Sequence, residues 1–227
     1  MTRPARHPES AHRLAGRFYT LRGLTCAVAL ACTATALPAR AQTTLYWGDL
    51  HLHSNFSLDA YGVGNTYVTP DLAYRFARGI PIYHKTLDTK VQIDRPLDFL
   101  AVTDHASNLG IDVQVTSGNA LLQQTPRGRE LIASVTKDTP WGGLLGVRRA
   151  AGEQGNEIMQ QVTTLDLRQS AWQQEIEAAD KNNIPGTFTT FIAWEWTAMI
   201  DGKNLHRNVI SNAGPEQASR FYPYSAG

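Results

Sequence analysis

Apolar and polar positions begin to alternate in Leu45–His53. An aromatic and aliphatic start gives way to Asp49-Leu50-His51-Leu52-His53. A period of two predicts a β-strand, with Asp49, His51 and His53 on one face. A loop with Gly62, Gly64 and Asn65 leads to Thr69-Pro70. That pair predicts a helix start with Thr69 as N-cap; Leu72, Ala73 and Phe76 supply an apolar stripe and Gly79 the stop. Residues 80–96 read as a connecting excursion with β-prone pieces. Asp98–Thr103 is a short, mostly apolar run of the kind buried in a parallel sheet, and it ends in Asp104-His105.

From Ala106 to Thr164 the chain is polar and interrupted by glycine. It reads as a long insertion with helical pieces at Arg129–Thr136 and Gly155–Val162. Asp166 with Gln169 forms a capping box for a helix that turns Trp172, Ile176 and Ala179 to the core and ends near Asn182-Asn183. Thr187–Thr197 predicts a strand presenting Glu195 between Trp194 and Trp196, and Leu205–Ser211 a further β-prone segment bearing His206. Trp47, Trp194 and Trp196 read as core aromatics. Strand, helix, strand, helix, strand predicts an α/β protein with a mainly parallel sheet and a helical insertion. A closed (β/α) barrel takes about 250 residues. The 186 from Gln42 onward, ending in loop-like sequence, predict the N-terminal part of something longer.

Composition is that of a globular protein: 42% hydrophobic and 18% charged over 227 residues. The net charge of +1 conceals an asymmetry, because six of the 21 basic residues and one of the 20 acidic ones lie in the first 41 positions. The remainder carries 15 basic and 19 acidic residues, which argues against a nucleic-acid partner. The first 41 positions read as an export signal with an Arg-bearing start, an apolar run from Leu24 to Leu37 and the small-x-small site Ala39-Arg40-Ala41. The run is too short for the roughly 20 residues that span a bilayer. The expectation is a periplasmic or secreted protein beginning at Gln42, without stable membrane insertion. Both cysteines, Cys26 and Cys32, fall in that leader, so any metal must be held by histidine and carboxylate.

His51 and His53, two apart on a strand, can grip one divalent cation or a close pair. Asp59 follows across a loop, His105 ends the second strand, and strand ends are where α/β sites form. Glu195 sits in a bulky apolar strand where an unpaired carboxylate is costly, so it is paired, turned to water between two core tryptophans, or metal-bound. His206 can return to the same place by a hairpin. Lys203 and Arg207 lie where they could meet an anionic substrate, and His84 has no spacing partner.

Together these residues resemble the polymerase and histidinol phosphatase (PHP) superfamily of metal-dependent phosphoesterases, through Asp49–His53 and Val102–His105. Trp47–Ser54, Ser57–Tyr61, Arg95–His105 and Glu195–Thr197 resemble its DUF3604 (domain of unknown function 3604) branch. The resemblance implies an incomplete, distorted (β/α)₇ barrel over residues 42–227, with an insertion at about 106–164. It implies two or three divalent ions (Mn, Fe or Zn) held by His51, His53, Asp59, His105, Glu195 and His206, with Glu195 as the bridging carboxylate. Asp104 and Asp49 are expected as partners that orient imidazole N–H groups, Asp104 sharing the catalytic role with Glu195. The superfamily adds a later His and a final Asp-x-His, and no histidine follows His206 here. The expected activity is hydrolysis of a small anionic ester, phosphate or sulfate, by metal-activated water. The alternative is a metal- or ligand-binding module that keeps the barrel without the reaction, or an inactive truncated fragment.

Overall fold

A computed structural model describes residues 43–135, 164–201 and 203–226, and residues 46–227 form one compact unit. In chain order the elements are β1 (Gly48–Leu52), α1 (Leu58–Gly62), α2 (Pro70–Ala77), β2 (Ile82–His84), β3 (Thr89–Val91) and β4 (Phe99–Val102). They continue with α3 (Ile111–Thr116), α4 (Ala120–Gln123), α5 (Pro126–Val135), α6 (Leu165–Asn182), β5 (Thr189–Ile200), β6 (Lys203–Ser211) and α7 (Pro215–Ala218). The main sheet runs β1-β4-β5-β6, parallel across its first two pairs and antiparallel at β5–β6. It is a mixed α/β fold whose curled, mainly parallel sheet forms a half-barrel. The curl brings its outer strands together, for Asn208 on β6 donates to the Leu50 carbonyl on β1 at 2.9 Å.

The apolar run at 99–102 becomes the central strand. Leu100, Ala101 and Val102 are sealed from solvent, as expected for a strand flanked on both sides and covered by helices. Thr69 caps α2 through its side chain, which accepts the Leu72 amide at 3.3 Å. The buried stripe of α2 is Ala73, Tyr74 and Ala77, shifted from the expected Leu72, Ala73 and Phe76; Leu72 and Phe76 are half-buried. Tyr74 belongs in this core because its hydroxyl is satisfied there: it donates to the Phe191 carbonyl at 3.0 Å and accepts the Val102 amide at 3.3 Å.

Helix α6 buries Ala171, Trp172, Ile176 and Ala179 in the same core, and the Trp172 indole donates to the Ala218 carbonyl at 3.0 Å. Its N-cap is Thr164, whose hydroxyl accepts the Leu167 amide; Asp166 lies inside the first turn, so the expected Asp166 capping box gives way to a threonine cap two residues earlier. The described part of the insertion is helical: α3, α4 and α5 build a second small core from Ile111, Val115, Leu122 and Leu131 with Leu167 of α6. Gly155–Val162 and the leader at 1–41 lie outside the described residues.

Two expectations at the first strand change. Pairing starts at Gly48 rather than Leu45, and Trp47 is 56% exposed instead of in the core. Its backbone explains the placement: the Trp47 amide donates to an Asp98 carboxylate oxygen at 2.7 Å and its carbonyl accepts the Asp98 amide at 2.7 Å, which anchors the main chain while the indole points outward. The excursion at 80–96 is a separate β2–β3 hairpin.

Candidate metal centre

The centre forms at the C-terminal ends of β1 and β4 and midway along β5, just past its pairing with β4, with one residue returned by β6. Between Asp49 and Leu52 the register of β1 against β4 slips, with Asp49 opposite Leu100 and Leu52 opposite Val102. A bulge of this kind re-aims side chains. It explains why His51 and His53 converge while Asp49, expected on the same face, stays outside the cluster with its carboxylate accepting the His51 amide at 2.9 Å.

Glu195 is the hub, 2% exposed. Its Oε2 lies 2.7 Å from His53 Nε2 and 3.1 Å from His51 Nε2. Its Oε1 lies 2.5 Å from His206 Nδ1 and 3.7 Å from His105 Nδ1. Each carboxylate oxygen therefore serves a different pair of imidazoles, and the reading in which Glu195 faces water between two tryptophans is excluded. Trp194 is buried and Trp196 half-buried.

Asp59 stands on the other side of His53, its Oδ1 3.0 Å from His53 Nδ1 and its Oδ2 3.4 Å from His105 Nε2. Three donor sets result, each with its donor atoms mutually within 4.8 Å: His51, His53 and Glu195; His53, Asp59 and His105; His105, Glu195 and His206. Each set shares a residue with each of the others. The six residues expected from the sequence come together, and His84 lies apart, in the hairpin.

Two hydroxyls that carried no assigned role complete the arrangement. Ser57 Oγ lies 3.0 Å from His53 Nδ1 and accepts the His105 amide at 3.1 Å. Thr197 Oγ1 sits between His105 Nδ1 at 3.1 Å and His206 Nδ1 at 3.2 Å. Thr197 follows Glu195 by two, so strand period could have placed it on the same face. Ser57 is three-dimensionally close through a turn and leaves no periodic trace.

Asp104 differs from its expected role. Its carboxylate accepts the Ser54 amide at 2.5 Å and the Ser54 hydroxyl. At 1% exposure it reaches neither an imidazole nitrogen by hydrogen bond nor solvent. Lys203 and Arg207 are exposed on β6, and the Arg207 guanidinium donates to the His206 carbonyl at 2.7 Å.

Burial pulls the His53 imidazole down, but the hydrogen bond and charge of Asp59, with Asp104 and Glu195 adding, override it and push it up to about 9. Burial would raise Asp59, yet hydrogen bonds from His105, His53 and Ser57 hold it well below the usual carboxylate range. Glu195 follows the same logic: burial raises it, and the charge of His105 with the contacts of His53 and His51 wins and holds it low. The site thus keeps two carboxylates anionic and stores a proton on His53.

A metal fits this donor set. Bonds of about 2.0–2.2 Å from one ion to N and O ligands set neighbouring ligand atoms roughly 3–3.5 Å apart, the separation of His51 from Glu195 (3.1 Å), His53 from Asp59 (3.0 Å) and His105 from Asp59 (3.4 Å). The family described as "Protein of unknown function (DUF3604)" matches the chain over residues 40–227. No curated protein and no solved structure matches it.

Proposed function

The chain belongs to the family described as protein of unknown function (DUF3604), and from that premise we propose that it is a PHP-type metal-dependent phosphoesterase acting on small anionic esters. The observation that carries this reading is the sharing of ligands: His53, His105 and Glu195 each belong to two of three overlapping donor sets. Such sharing suits adjacent cations better than one isolated ion. The donors would hold Mn, Fe or Zn, and the curled, mainly parallel sheet would be of the PHP type.

Divalent ions in close pairs lower the pKa of bound water toward neutrality and offset charge gathering on a phosphoryl oxygen. The chain's own residues supply the rest. Glu195, with one oxygen toward each half of the cluster, would be a ligand common to both halves. Asp59, 3.0 Å from His53 Nδ1 and 3.4 Å from His105 Nε2, would join these two imidazoles in holding a cation. Glu195 is buried and His53 and His105 are half-buried beside it as a floor, whereas the His51 and Asp59 side chains are 61% and 56% exposed. Substrate would enter over His51 and Asp59. Asp104 lies beneath the floor and holds backbone, not substrate.

The Arg-bearing, apolar leader with its small-x-small site supports release into the periplasm or beyond. Among the described residues no helix is long and apolar enough to cross a membrane.

The deciding experiment is elemental analysis of the purified full-length protein, coupled to turnover of p-nitrophenyl phosphate, bis(p-nitrophenyl) phosphate and p-nitrophenyl sulfate. Chelation and the paired substitution His51→Ala/His53→Ala are expected to abolish both metal content and phosphoester turnover. Undiminished activity without metal, or full metal loading in the double variant, rejects the reading.

A further inference from the structure

A second carboxyl lies behind the cluster. Glu175, on α6, is 4% exposed and faces Asp104, itself 1% exposed. The helix that closes the core thus pushes an acid against the residue preceding His105. Glu175 Oε1 has no hydrogen-bond donor among the described residues, and a buried carboxylate with no donor, set against another carboxylate, is among the costliest arrangements a core can hold. Asp104 has two donors already, the Ser54 amide and hydroxyl. The electrostatically consistent state has the proton on Glu175 and the charge on Asp104. Burial raises both acids, and the neighbouring Asp104 charge raises Glu175 further.

We propose that Glu175 is a positioning residue for the candidate metal centre: its carboxyl donates to Asp104, and Asp104, held in this way, fixes Ser54 and the turn that aims His53. The chain of contacts is short. Ser54 follows His53 directly, its hydroxyl accepts the Phe56 amide at 3.1 Å, and its carbonyl accepts the Ser57 amide at 3.2 Å. Ser57 is the hydroxyl that touches His53 and carries the His105 amide. One helix residue therefore sets the turn from which two of the shared imidazoles take their orientation. The metal part of this inference rests on the proposed metal centre; the hold on Ser54 does not.

The test uses the full chain with Glu175→Gln, which keeps a donor of similar shape, Glu175→Leu, which removes it, and Ser54→Ala, which removes one Asp104 donor without touching α6. Hydrogen exchange at the Ser54 amide is read without added metal. Protection is expected to be kept in Glu175→Gln and to fall about tenfold in Glu175→Leu, while β5–β6 ladder amides keep theirs. Calorimetric titration with Mn²⁺ is expected to show affinity within about threefold of the parent for Glu175→Gln and a loss of about tenfold or more for Glu175→Leu and Ser54→Ala.

Unchanged Ser54 protection in Glu175→Leu overturns the proposal, as does equal loss of protection in Glu175→Gln. Should Glu175→Leu not fold, Glu175→Gln and Ser54→Ala still decide: a Glu175→Gln that loses Ser54 protection, or a Ser54→Ala that binds Mn²⁺ like the parent, refutes it. A parent chain that binds no Mn²⁺, with the exchange pattern as expected, refutes the metal centre and leaves the hold on Ser54 standing.

Discussion

A divalent cation that takes His53 must displace a proton, and this fixes how metal affinity depends on pH. His53 is raised from 6.5 to about 9 by Asp59, Asp104 and Glu195 against the pull of burial. At pH 7 the imidazole is therefore almost fully protonated in the metal-free protein. Each pH unit below its pKa costs a factor of ten in apparent affinity, about 1.36 kcal/mol. Two units separate pH 7 from the plateau, so affinity at pH 7 lies about 100-fold, or about 2.7 kcal/mol, below it. Mn²⁺ titration at pH 6.5, 7.5 and 8.5, in buffers of different ionisation enthalpy, measures the slope and the protons released. The expected result is a roughly tenfold rise per unit, with about one proton released from His53 at pH 7.5. Affinity flat over this range, or binding without proton release, refutes the reasoning.

Stability of the metal-free chain runs the other way. A raised folded-state pKa gives stability that is fully present below 6.5 and lost as pH climbs through about 9. Asp59 and Glu195 are held below their ordinary values of 3.8 and 4.5, so their contribution is present above those values and lost as pH falls through the lowered ones. These three groups favour the fold most between about pH 4.5 and 6.5, whereas metal binding strengthens above that window.

Three substitutions probe separate parts of the argument. Glu195→Gln keeps the shape but removes the charge shared by both halves of the cluster; Mn²⁺ affinity is expected to fall by at least about 100-fold, beyond the range seen for outer partners of a ligand, and unchanged affinity by calorimetry would sink its bridging role. Gly48→Ala would place a Cβ 2.3 Å from the Phe99 ring and 2.4 Å from the Phe99 carbonyl oxygen; backbone cannot yield easily, so chemical denaturation should show a loss of about 1–3 kcal/mol or more, and parental stability would contradict the close β1–β4 packing. Tyr74→Phe deprives the Phe191 carbonyl and Val102 amide of their hydroxyl partner; a loss of about 1–3 kcal/mol in urea unfolding is expected, and none would mean that the hydroxyl is not their partner.

What the sequence disclosed follows from which signals are local. The Thr69-Pro70 start and the apolar run at 99–102 are read within a few residues, and both elements occur where the pattern puts them. His51, His53, His105 and Glu195 stand out because polar metal-type side chains in apolar strands have few cheap explanations. The bulge in β1 left no such mark, since it depends on how Asp49 and Leu52 pair with β4, and simple alternation therefore put Asp49 on the wrong side. Asp104, expected to orient an imidazole, has as its partners Ser54, 50 positions earlier, and Glu175 on α6. Glu175 was invisible for a general reason: an acid on a helix usually faces water, and only the packing of α6 turns it inward.

The β5–β6 hairpin shows why site and fold cannot be separated here. β5 ends at Ile200 and β6 begins at Lys203, joined through Asp201, whose φ of 52° is one that Asp tolerates. That short connection sets the register that pairs Thr197 with His206 and Glu195 with Asn208. A slip of one residue would turn His206 to the opposite face, removing it from Glu195 Oε1 and Thr197 at a stroke, and would take Asn208 away from the Leu50 carbonyl that ties β6 to β1. The contact that completes the curl of the sheet and the contacts that complete the histidine cluster thus depend on the same register. A cation bound to the native arrangement and not to the slipped one would stabilise that register by mass action, so metal loading and correct hairpin pairing should reinforce each other.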